Sequence, residues 1–302
     1  MRILLTGATG QIGSALLPLL KRQGGVLAPD RAAFDLSQPK TLSKALDLFR
    51  PNLIVNPAAY TAVDRAEDER ELAFKVNAEA PAVMAAWAAQ HDVPMIHFST
   101  DYVFDGTGVE PWREDSTPNP LSVYGASKLA GDEAIIASGN AHVIVRTSWV
   151  YAAKGSNFLN TIVRLARERE ELSIVADQIG APTSSNVIAK VALSFAGVAS
   201  PNFYQTFARR GGVLNVVCRG ETSWHEFASA IVDGLRNRGM DLKCVRVLPI
   251  RSEEYPTKSR RPMNSRLSVT RLANVFGIVT LSWREALERE LDILATRHPE
   301  RA

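Results

Sequence analysis

The sequence RILLTGATGQIG, residues 2–13, places three glycines directly after a short apolar run. Residues 2–6 predict a buried strand, and the pattern over 14–22 predicts a helix. The turn between them is a GxxGxxG motif made by Gly7, Gly10 and Gly13. In this context the glycines let the backbone approach a pyrophosphate, which the amides and dipole of the helix N-terminus bind. We therefore predict a dinucleotide-binding unit at the start of the chain.

Short apolar runs and helical patterns alternate through the first half of the chain. Runs at 26–28, 51–56, 93–98 and 141–146 predict further strands. This alternation indicates an α/β fold, a Rossmann-type doubly wound parallel sheet with a smaller C-terminal α/β substrate lobe. We expect a dinucleotide-binding domain over 1–150 plus about 184–210, and a substrate-binding lobe over about 151–183 plus 211–302.

Three further elements are expected within these domains. One continuous alanine-rich helix is expected over 73–90, and a helix over 185–198 is long enough to return to the first lobe. A strand over 213–217 is assigned to the substrate lobe.

Composition excludes several classes of protein. Among 302 residues, 46% are hydrophobic and 22% charged, and the net charge of +3 comes without a basic block, which argues against nucleic-acid binding. Two cysteines are too few for a disulfide framework or a thiolate metal site, and the five histidines have no ligand spacing, so we predict no metal site from them. No apolar run approaches the roughly 20 residues of a membrane span, and the N-terminus does not resemble a signal peptide. We expect a cytoplasmic protein without a membrane partner.

Two residues after the second predicted strand bear on the cofactor. A carboxylate about 20 residues beyond the glycines binds the ribose 2′-hydroxyl of NAD, whereas an arginine there binds the 2′-phosphate of NADP. Asp30 and Arg31 are both present, so the sequence leaves NADPH and NADH open. Asp35-Leu36 follows in a turn that suits the adenine, although Asp35 is equally suited to cap a helix from about Pro39.

The stretch from residue 100 to residue 128 carries the catalytic candidates. Thr100 ends a buried apolar run, and Tyr124 and Lys128 share one face if their segment is helical. A hydroxyl, a phenol and an ammonium together can move a proton at a carbonyl carbon. A nearby cation would bring the tyrosine pKa down from its usual value of about 10. The alternative is that Tyr124 only caps a helix and Lys128 is a solvated charge, but the glycine turn favours the catalytic interpretation.

Arginines of the second lobe are candidates for binding a substrate diphosphate. A guanidinium matches phosphate oxygens in a bidentate manner. A basic loop holds Arg260, Arg261 and Arg266. Spacing alone leaves equally open that all three are ordinary surface charges.

Taken together, these motifs resemble the extended short-chain dehydrogenase/reductase superfamily, and longer runs are similar to its dTDP-4-dehydrorhamnose reductase family. The similarity covers essentially the whole chain. Its runs are Gly10-Gln11-x-Gly13, Asn56-x-Ala-Ala-x-Thr61-Ala-Val-Asp64, Ser99-Thr-Asp-Tyr-Val-Phe104, Val123-Tyr-Gly125, Arg146-Thr-Ser-Trp-Val-Tyr151, Asp177-Gln178-x-Gly180-x-Pro-Thr183 and Arg261-Pro-x-Asn-Ser-Arg266.

This resemblance implies reduction of the C4 ketone of a dTDP-sugar, dTDP-4-dehydro-β-L-rhamnose, by NADPH or NADH. It implies that Tyr124 donates the proton, Lys128 holds the nicotinamide ribose and lowers the tyrosine pKa, and Thr100 hydrogen-bonds the substrate. The implied cofactor contacts are Gly7, Gly10, Gln11, Ile12, Gly13, Asp30, Arg31, Asp35, Leu36, Ala59, Tyr60, Thr61, Tyr124 and Lys128. The substrate-binding candidates are Thr100, Asp101, Tyr102, Trp149, Asn157 and Arg261. Trp149 is expected to offer a flat apolar wall to the sugar, the alternative being a core tryptophan at a strand end.

The sequence departs from the family pattern at three positions. Some members hold a magnesium ion between subunits with two glutamates, at positions where this chain has Ala15 and Asn186. Neither side chain offers a carboxylate to a hard cation, so a metal-bridged dimer is not expected, while a homodimer stays open. Pro57 replaces the usual alanine after the third strand and removes one backbone N–H beside the cofactor contacts.

Two other functions are compatible with the general pattern. A 4,6-dehydratase or 4-epimerase of nucleotide sugars has the same fold, but elimination usually needs Asp-Glu after the threonine and this chain has Asp101-Tyr102. A non-catalytic regulatory subunit resembling the methionine adenosyltransferase β subunit would have lost the catalytic tyrosine or lysine, and both are present here.

Overall fold

The structure, a computed structural model, describes residues 1–195 and 203–297. Its strands are β1 (Arg2–Leu5), β2 (Gly25–Leu27), β3 (Leu53–Asn56), β4 (Met95–Thr100), β5 (His142–Thr147), β6 (Val150–Tyr151), β7 (Glu171–Val175), β8 (Ile179–Gly180), β9 (Thr183–Ser184), β10 (Gly212–Asn215), β11 (Thr222–Ser223) and β12 (Arg246–Ile250). Its α-helices are α1 (Gln11–Leu20), α2 (Pro39–Phe49), α3 (Val63–Ala66), α4 (Arg70–Phe74), α5 (Ala80–Gln90), α6 (Val123–Ala137), α7 (Phe158–Glu168), α8 (Ser185–Phe195), α9 (Phe203–Arg210), α10 (Trp224–Arg236), α11 (Thr270–Phe276) and α12 (Trp283–Arg297).

Six parallel strands form the central sheet in the order β10-β5-β4-β3-β1-β2. Successive side chains of a strand point to opposite faces. Ile3 and Leu5 therefore pack with α1 and α8 on one face, whereas Leu4 packs with α2 and α5 on the other. Helices on both faces confirm the predicted doubly wound α/β fold. Strand β2 lies on one side of β1 and β3 on the other, and such a switch point is where α/β sheets bind ligands.

One strand lies in a different part of the fold from the one we expected. Gly212–Asn215 is the edge strand of the central sheet and pairs with β5 in parallel, Val213 opposite Ile144. The expectation that the strand near 213–217 belongs to the substrate lobe was wrong. Leu272 of α11 packs in the same core as β10, so part of the chain beyond 211 completes the first lobe.

The helix expected over 73–90 is interrupted. A π-helical turn, Lys75–Glu79, separates α4 from α5. Pro81 lies at the start of α5 and has no N–H, so the α-helical bond to the carbonyl of Asn77 cannot form. The helix expected over 185–198 is found as far as Phe195, and residues 196–198 lie outside the described residues.

The remaining elements build a second core. Helices α7, α10 and α12 pack around Phe227, Ile231 and Leu291, and β7 pairs in parallel with β12 beside them. The two cores meet along the edge of the sheet where the strands of the first lobe end. Within the described ranges, no helix has the length and apolarity required to cross a membrane.

Candidate active site

The glycine turn has the geometry that a dinucleotide requires. Gly7 has a φ of +53°, in the region that favours glycine. A Cβ on Gly13 would lie 2.0 Å from the carbonyl oxygen of Gly7, so only glycine lets α1 start this close to the turn. Gly10 caps α1 without a side-chain hydrogen bond, which leaves the first helical amides for a ligand. The buried Oε1 of Gln11 also has no hydrogen-bond partner among residues 1–195 and 203–297. The turn therefore fits a pyrophosphate.

The residues after β2 are already held by short-range contacts. Asp30 accepts a hydrogen bond from Ala33 N at 3.0 Å, and Asp35 accepts from Ser37 N at 2.9 Å. Burial opposes ionisation of Asp35, but hydrogen bonds from Ser37 and the charge of Arg31 outweigh it and hold the pKa of the carboxyl below its usual value. Arg31 has a side chain that is 77% exposed. Its guanidinium is therefore accessible to a 2′-phosphate.

Leu36, also expected to contact the cofactor, is buried among core residues of α2. The structure therefore places the side chain of Leu36 in the apolar core with Leu42 and Leu46, and its contact with the cofactor stays a prediction.

The segment after β3 is fixed by an asparagine of the π-helical turn. Asn77 Oδ1 accepts from Tyr60 N at 2.8 Å, and its Nδ2 donates to Tyr60 O at 3.0 Å. The same Nδ2 lies 3.0 Å from Ser127 Oγ on α6. Asn77 thus ties Ala59-Tyr60-Thr61 to the helix that carries the catalytic candidates, a link that the sequence did not suggest.

The three catalytic candidates come together at the carboxyl end of β4. The segment of Tyr124 and Lys128 is helical, as the shared-face argument required, and Ser122 caps it by accepting from Gly125 N at 3.1 Å. A Cβ on Gly125 would lie 2.1 Å from the carbonyl oxygen of Tyr102, so glycine lets α6 approach the end of β4. Thr100 is 5% exposed, and its hydroxyl donates to Asp101 Oδ1 at 3.1 Å and accepts from Tyr102 N at 3.2 Å, beside the phenol of Tyr124.

The electrostatic environment keeps the phenol protonated. Burial raises the pKa of Tyr124, the hydrogen bond with Thr100 opposes that rise, and Asp101 adds to it. Burial also lowers the pKa of Lys128 to about 8, against the attraction of Asp132. The ammonium of Lys128 lies 3.0 Å from His97 Nε2. The implied lowering of the tyrosine pKa by Lys128 stays a prediction.

Asp101 and Tyr102 follow Thr100 in a 3-10 turn. Asp101 is 3% exposed, and burial raises its pKa to about 6 despite hydrogen bonds with Ser265 and Thr100. Its Oδ2 has no hydrogen-bond partner among the described residues. The ring of Tyr102 packs edge-on against Tyr124, with centroids 5.5 Å apart. Tyr102 thus packs against the phenol of Tyr124, and the charge of Asp101 acts on that phenol.

A cavity of about 990 Å³ opens beside this constellation. Trp149 lines it with a φ of +49°, a conformation that costs a non-glycine residue about 1–3 kcal/mol and marks functional positions. Its ring stacks on Trp224, with centroids 3.7 Å apart. Trp149 and Trp224 therefore form an apolar wall of the cavity, and contact of this wall with the sugar stays a prediction. The polar and charged lining residues include Thr161, Arg164, Arg169, Gln178, Arg260 and Arg261.

The arginines of the basic loop divide into different environments. Arg261 lines the cavity and donates to Tyr102 OH at 3.2 Å, and Arg260 is exposed at the same cavity. Arg266 is instead paired with Glu221 at 2.6 Å. The structure thus brings two of the three arginines to the cavity.

The side chain of Asn157 caps a helix instead of lining the cavity. It caps α7 by accepting from Asn160 N at 3.1 Å, and its Nδ2 donates to Ala152 O at 2.9 Å. It is not among the described residues that line the cavity. These contacts give Asn157 a structural explanation that the family resemblance did not include.

The positions of the family's magnesium ligands do not fit a cation. Asn186 Nδ2 donates to Glu290 Oε1 at 2.7 Å, and Ser184 Oγ donates to the same oxygen at 2.6 Å. The other oxygen of Glu290 accepts from Ala153 N at 2.8 Å. Protein donors therefore occupy the buried carboxylate, and the described residues contain no group of three metal-ligating side chains.

Comparison with known proteins agrees with this geometry. The chain matches the RmlD substrate binding domain family over residues 1–296. It is 43% identical to a dTDP-4-dehydrorhamnose reductase of Burkholderia thailandensis over 289 residues, covering 95% of this chain and 97% of that protein.

Two solved structures are similar along their whole length. The dTDP-4-dehydrorhamnose reductase of Clostridium acetobutylicum has a TM-score of 0.88 at 36% identity, covering 97% of this chain and 99% of that one. The enzyme of Bacillus anthracis, in complex with NADP, has a TM-score of 0.86 at 34% identity with the same coverage. The chain therefore belongs to the RmlD substrate binding domain family, that of the dTDP-4-dehydrorhamnose reductases.

Proposed function

We propose that this protein reduces the C4 ketone of dTDP-4-dehydro-β-L-rhamnose to dTDP-β-L-rhamnose with NADPH or NADH. The observation that carries the proposal is that Thr100 at the end of β4 and Tyr124 and Lys128 on α6 lie beside Tyr102, which lines the cavity. Similar reductases from other bacteria, one with NADP bound, support it. A dehydratase or epimerase is disfavoured because Tyr102 stands where elimination usually needs a glutamate.

The glycine turn and α1 hold the cofactor in this proposal. The amides at the N-terminus of α1 bind the pyrophosphate, and Arg31 or Asp30 binds the adenosine ribose. When bound, the cofactor supplies a hydride to C4 of the sugar. An ammonium at Lys128 donates to the ribose hydroxyls and fixes the nicotinamide beside Tyr124.

Tyr124 and Thr100 act on the ketone oxygen. As C4 is reduced, negative charge develops on O4, and hydroxyl groups held beside it stabilise that charge more than they stabilise the neutral ketone. The raised pKa of Tyr124 keeps its phenol protonated at neutral pH, so it is available to give its proton to O4. The hydroxyl of Thr100 lies beside the phenol and is itself held by Asp101 Oδ1 and Tyr102 N.

The cavity residues hold the rest of the substrate. The stacked rings of Trp149 and Trp224 cover apolar parts of the ligand and exclude water. Arg261 offers a guanidinium to the diphosphate. Two further expectations belong to this proposal, a cytoplasmic location, which two free buried cysteines fit, and a homodimer, which light scattering would test.

The test is loss of reduced-nicotinamide absorbance with enzymatically generated dTDP-4-dehydrorhamnose, using NADPH and NADH in parallel. We expect oxidation that depends on both enzyme and sugar, and NMR of the product should show a new hydrogen at C4. Cofactor binding without oxidation would contradict the reductase function and favour the regulatory alternative. A tightly held cofactor that does not exchange would favour an epimerase.

A further inference from the structure

A chain of buried polar groups runs from the cofactor-binding strand β1 to the catalytic helix α6. Thr6 Oγ1 lies 2.6 Å from Asn56 Oδ1, and Asn56 Nδ2 lies 3.0 Å from His97 Nδ1. His97 Nε2 lies 3.0 Å from Lys128 Nζ. Thr6 and Lys128 are 3% and 1% exposed, and Asn56 and His97 are fully buried. His97 thus connects the lysine of the site to the interior of the sheet.

The charge states of His97 and Lys128 are coupled by this distance. Two cations 3.0 Å apart in a buried site would repel strongly, so at most one of the two is charged. Burial and the neighbouring Lys128 hold the pKa of His97 well below its usual value, so the imidazole stays neutral. The pKa of Lys128 is about 8, so at neutral pH Lys128 is mostly an ammonium, which donates while His97 Nε2 accepts.

This direction of donation fixes the histidine tautomer and the rest of the chain. A neutral imidazole that accepts at Nε2 carries its proton on Nδ1. Nδ1–H then donates to the amide oxygen of Asn56. This assignment requires the Asn56 amide turned by 180° about its last side-chain bond, so that its oxygen faces His97 Nδ1 and its nitrogen faces Thr6 Oγ1.

Other ionisable groups surround the pair. Asp132 lies one helical turn beyond Lys128 on α6 and favours its charged form, and it is itself paired with Arg146 of β5 at 3.4 Å. His142, at the start of β5, acts on His97 in the same direction as Lys128. Tyr124 lies one turn before Lys128, on the side of the substrate. His97 is therefore the group that contacts Nζ from the sheet side.

We propose that His97 is a positioning residue of this site. Its Nε2 accepts a hydrogen bond from one N–H of Lys128, and this contact directs the other two N–H groups of Lys128 toward the cofactor ribose. A lysine side chain has a flexible four-carbon stem, and its three N–H groups rotate about the last bond. Without an acceptor at His97, the direction of the N–H groups of Lys128 would not be fixed. With one N–H anchored, the remaining donors are arranged before the cofactor binds. We base this role on the proposed function, because ribose binding by Lys128 belongs to that reaction.

The competing explanation is that His97 is only a core residue that satisfies Asn56. That explanation requires no particular direction of donation between His97 and Lys128. It predicts that replacing His97 lowers stability and leaves the ionisation of Lys128 unchanged. The two explanations therefore differ in a tautomer and in a pH profile.

The first measurement uses the unmodified protein and needs no substrate. Nitrogen-15 NMR of protein labelled at histidine reports which ring nitrogen carries the proton, and His97→Gln assigns the signal. Between pH 6 and 7.5 we expect a neutral His97 with its lone pair on Nε2. A protonated Nε2 or an imidazolium in that range would overturn the proposal. Because this result is independent of turnover, it separates failure of this role from failure of the reductase function.

The second measurement is the pH dependence of kcat with a saturating cofactor in His97→Leu, His97→Gln and His142→Leu. Loss of an acceptor from the charged form lowers the pKa of Lys128, so His97→Leu should move the alkaline limb about one to two pH units lower and reduce kcat. His97→Gln keeps an acceptor, so the alkaline limb of its pH profile should lie close to that of the wild type. His142→Leu removes a nearby imidazole that does not contact Lys128 and should leave it in place. If the alkaline limb of the pH profile of kcat is unchanged in a folded His97→Leu variant, the role of His97 is purely structural.

Discussion

The guanidinium of Arg261 donates to the carboxylate of Asp64 at 2.7 Å. This contact joins the basic loop to α3, which follows Ala59-Tyr60-Thr61. The same guanidinium reaches Tyr102 OH at 3.2 Å. Nearby, Ser259 N donates to the other oxygen of Asp64 at 3.0 Å. The arginine proposed to bind the diphosphate is therefore held in place before a ligand arrives.

Arg261→Ala should weaken substrate binding much more than it weakens the fold. The pair is partly exposed, at 31% and 44% of the side chains, so its loss should reduce the free energy of unfolding by less than about 1 kcal/mol. Loss of a charge-assisted bond to a diphosphate costs about 1.5–3 kcal/mol, so kcat/KM should fall about 10- to 150-fold, mainly through KM. Steady-state kinetics and thermal unfolding measure the two effects. The control is Arg266→Ala, which removes an arginine paired with Glu221, and an equal loss in both variants would contradict the role of Arg261.

Tyr124→Phe should separate cofactor binding from turnover. The phenyl ring keeps the packing against Tyr102 but has no proton to give to O4. We expect a nearly unchanged Kd for NADPH and a fall in kcat of about 10²- to 10⁴-fold, as is typical of a lost general acid. Fluorescence titration and initial rates measure these quantities. Near-normal turnover would remove Tyr124 from the chemistry.

Arg31→Ala should change the preference between the two cofactors. The exposed guanidinium of Arg31 follows β2, where the 2′-phosphate of NADPH is expected, whereas NADH presents only a hydroxyl there. We expect kcat/KM to fall at least several-fold with NADPH and little with NADH. A parallel fall with both cofactors would mean that Arg31 supports the turn around Asp35 instead of reading the phosphate.

Asp101→Asn should change how stability depends on pH. The carboxyl has a pKa of about 6 in the folded protein and 3.8 in the reference state, so between these values the native state binds more protons than the unfolded state. The wild type should therefore lose stability relative to Asp101→Asn as pH rises from about 4 to about 6, by up to about 3 kcal/mol. Urea unfolding of both proteins at pH 4, 5, 6 and 7 measures the difference. A constant difference over this range would mean that Asp101 titrates normally.

Local patterns predicted the parts of the site that depend on neighbours in the chain. The glycine turn between β1 and α1 and the shared face of Tyr124 and Lys128 follow from spacing alone, and the structure has both elements. The basic loop shows the limit of spacing, because of its three arginines Arg260 and Arg261 line the cavity and Arg266 does not.

Contacts between distant residues were not predictable in this way. The apolar run that forms β10 suits either lobe, and only its pairing with β5 assigns it to the central sheet. His97 is one of five scattered histidines in the sequence, and its contact with Lys128 depends on the packing of α6 against β4. Asn157 matched a family position, yet its side chain is engaged in capping α7.

The π-helical turn at Lys75–Glu79 makes the site sensitive to the number of residues in the chain. A π-helical turn behaves as an α-helix with one inserted residue, and each residue of an α-helix turns the chain by about 100°. Deleting a single codon in this segment would remove the extra residue of the turn and rotate Asn77 away from Tyr60 and Ser127. The gene should therefore tolerate many substitutions on the exposed side of this helix, while an in-frame deletion of one residue would misalign a catalytic site that the helix does not itself line.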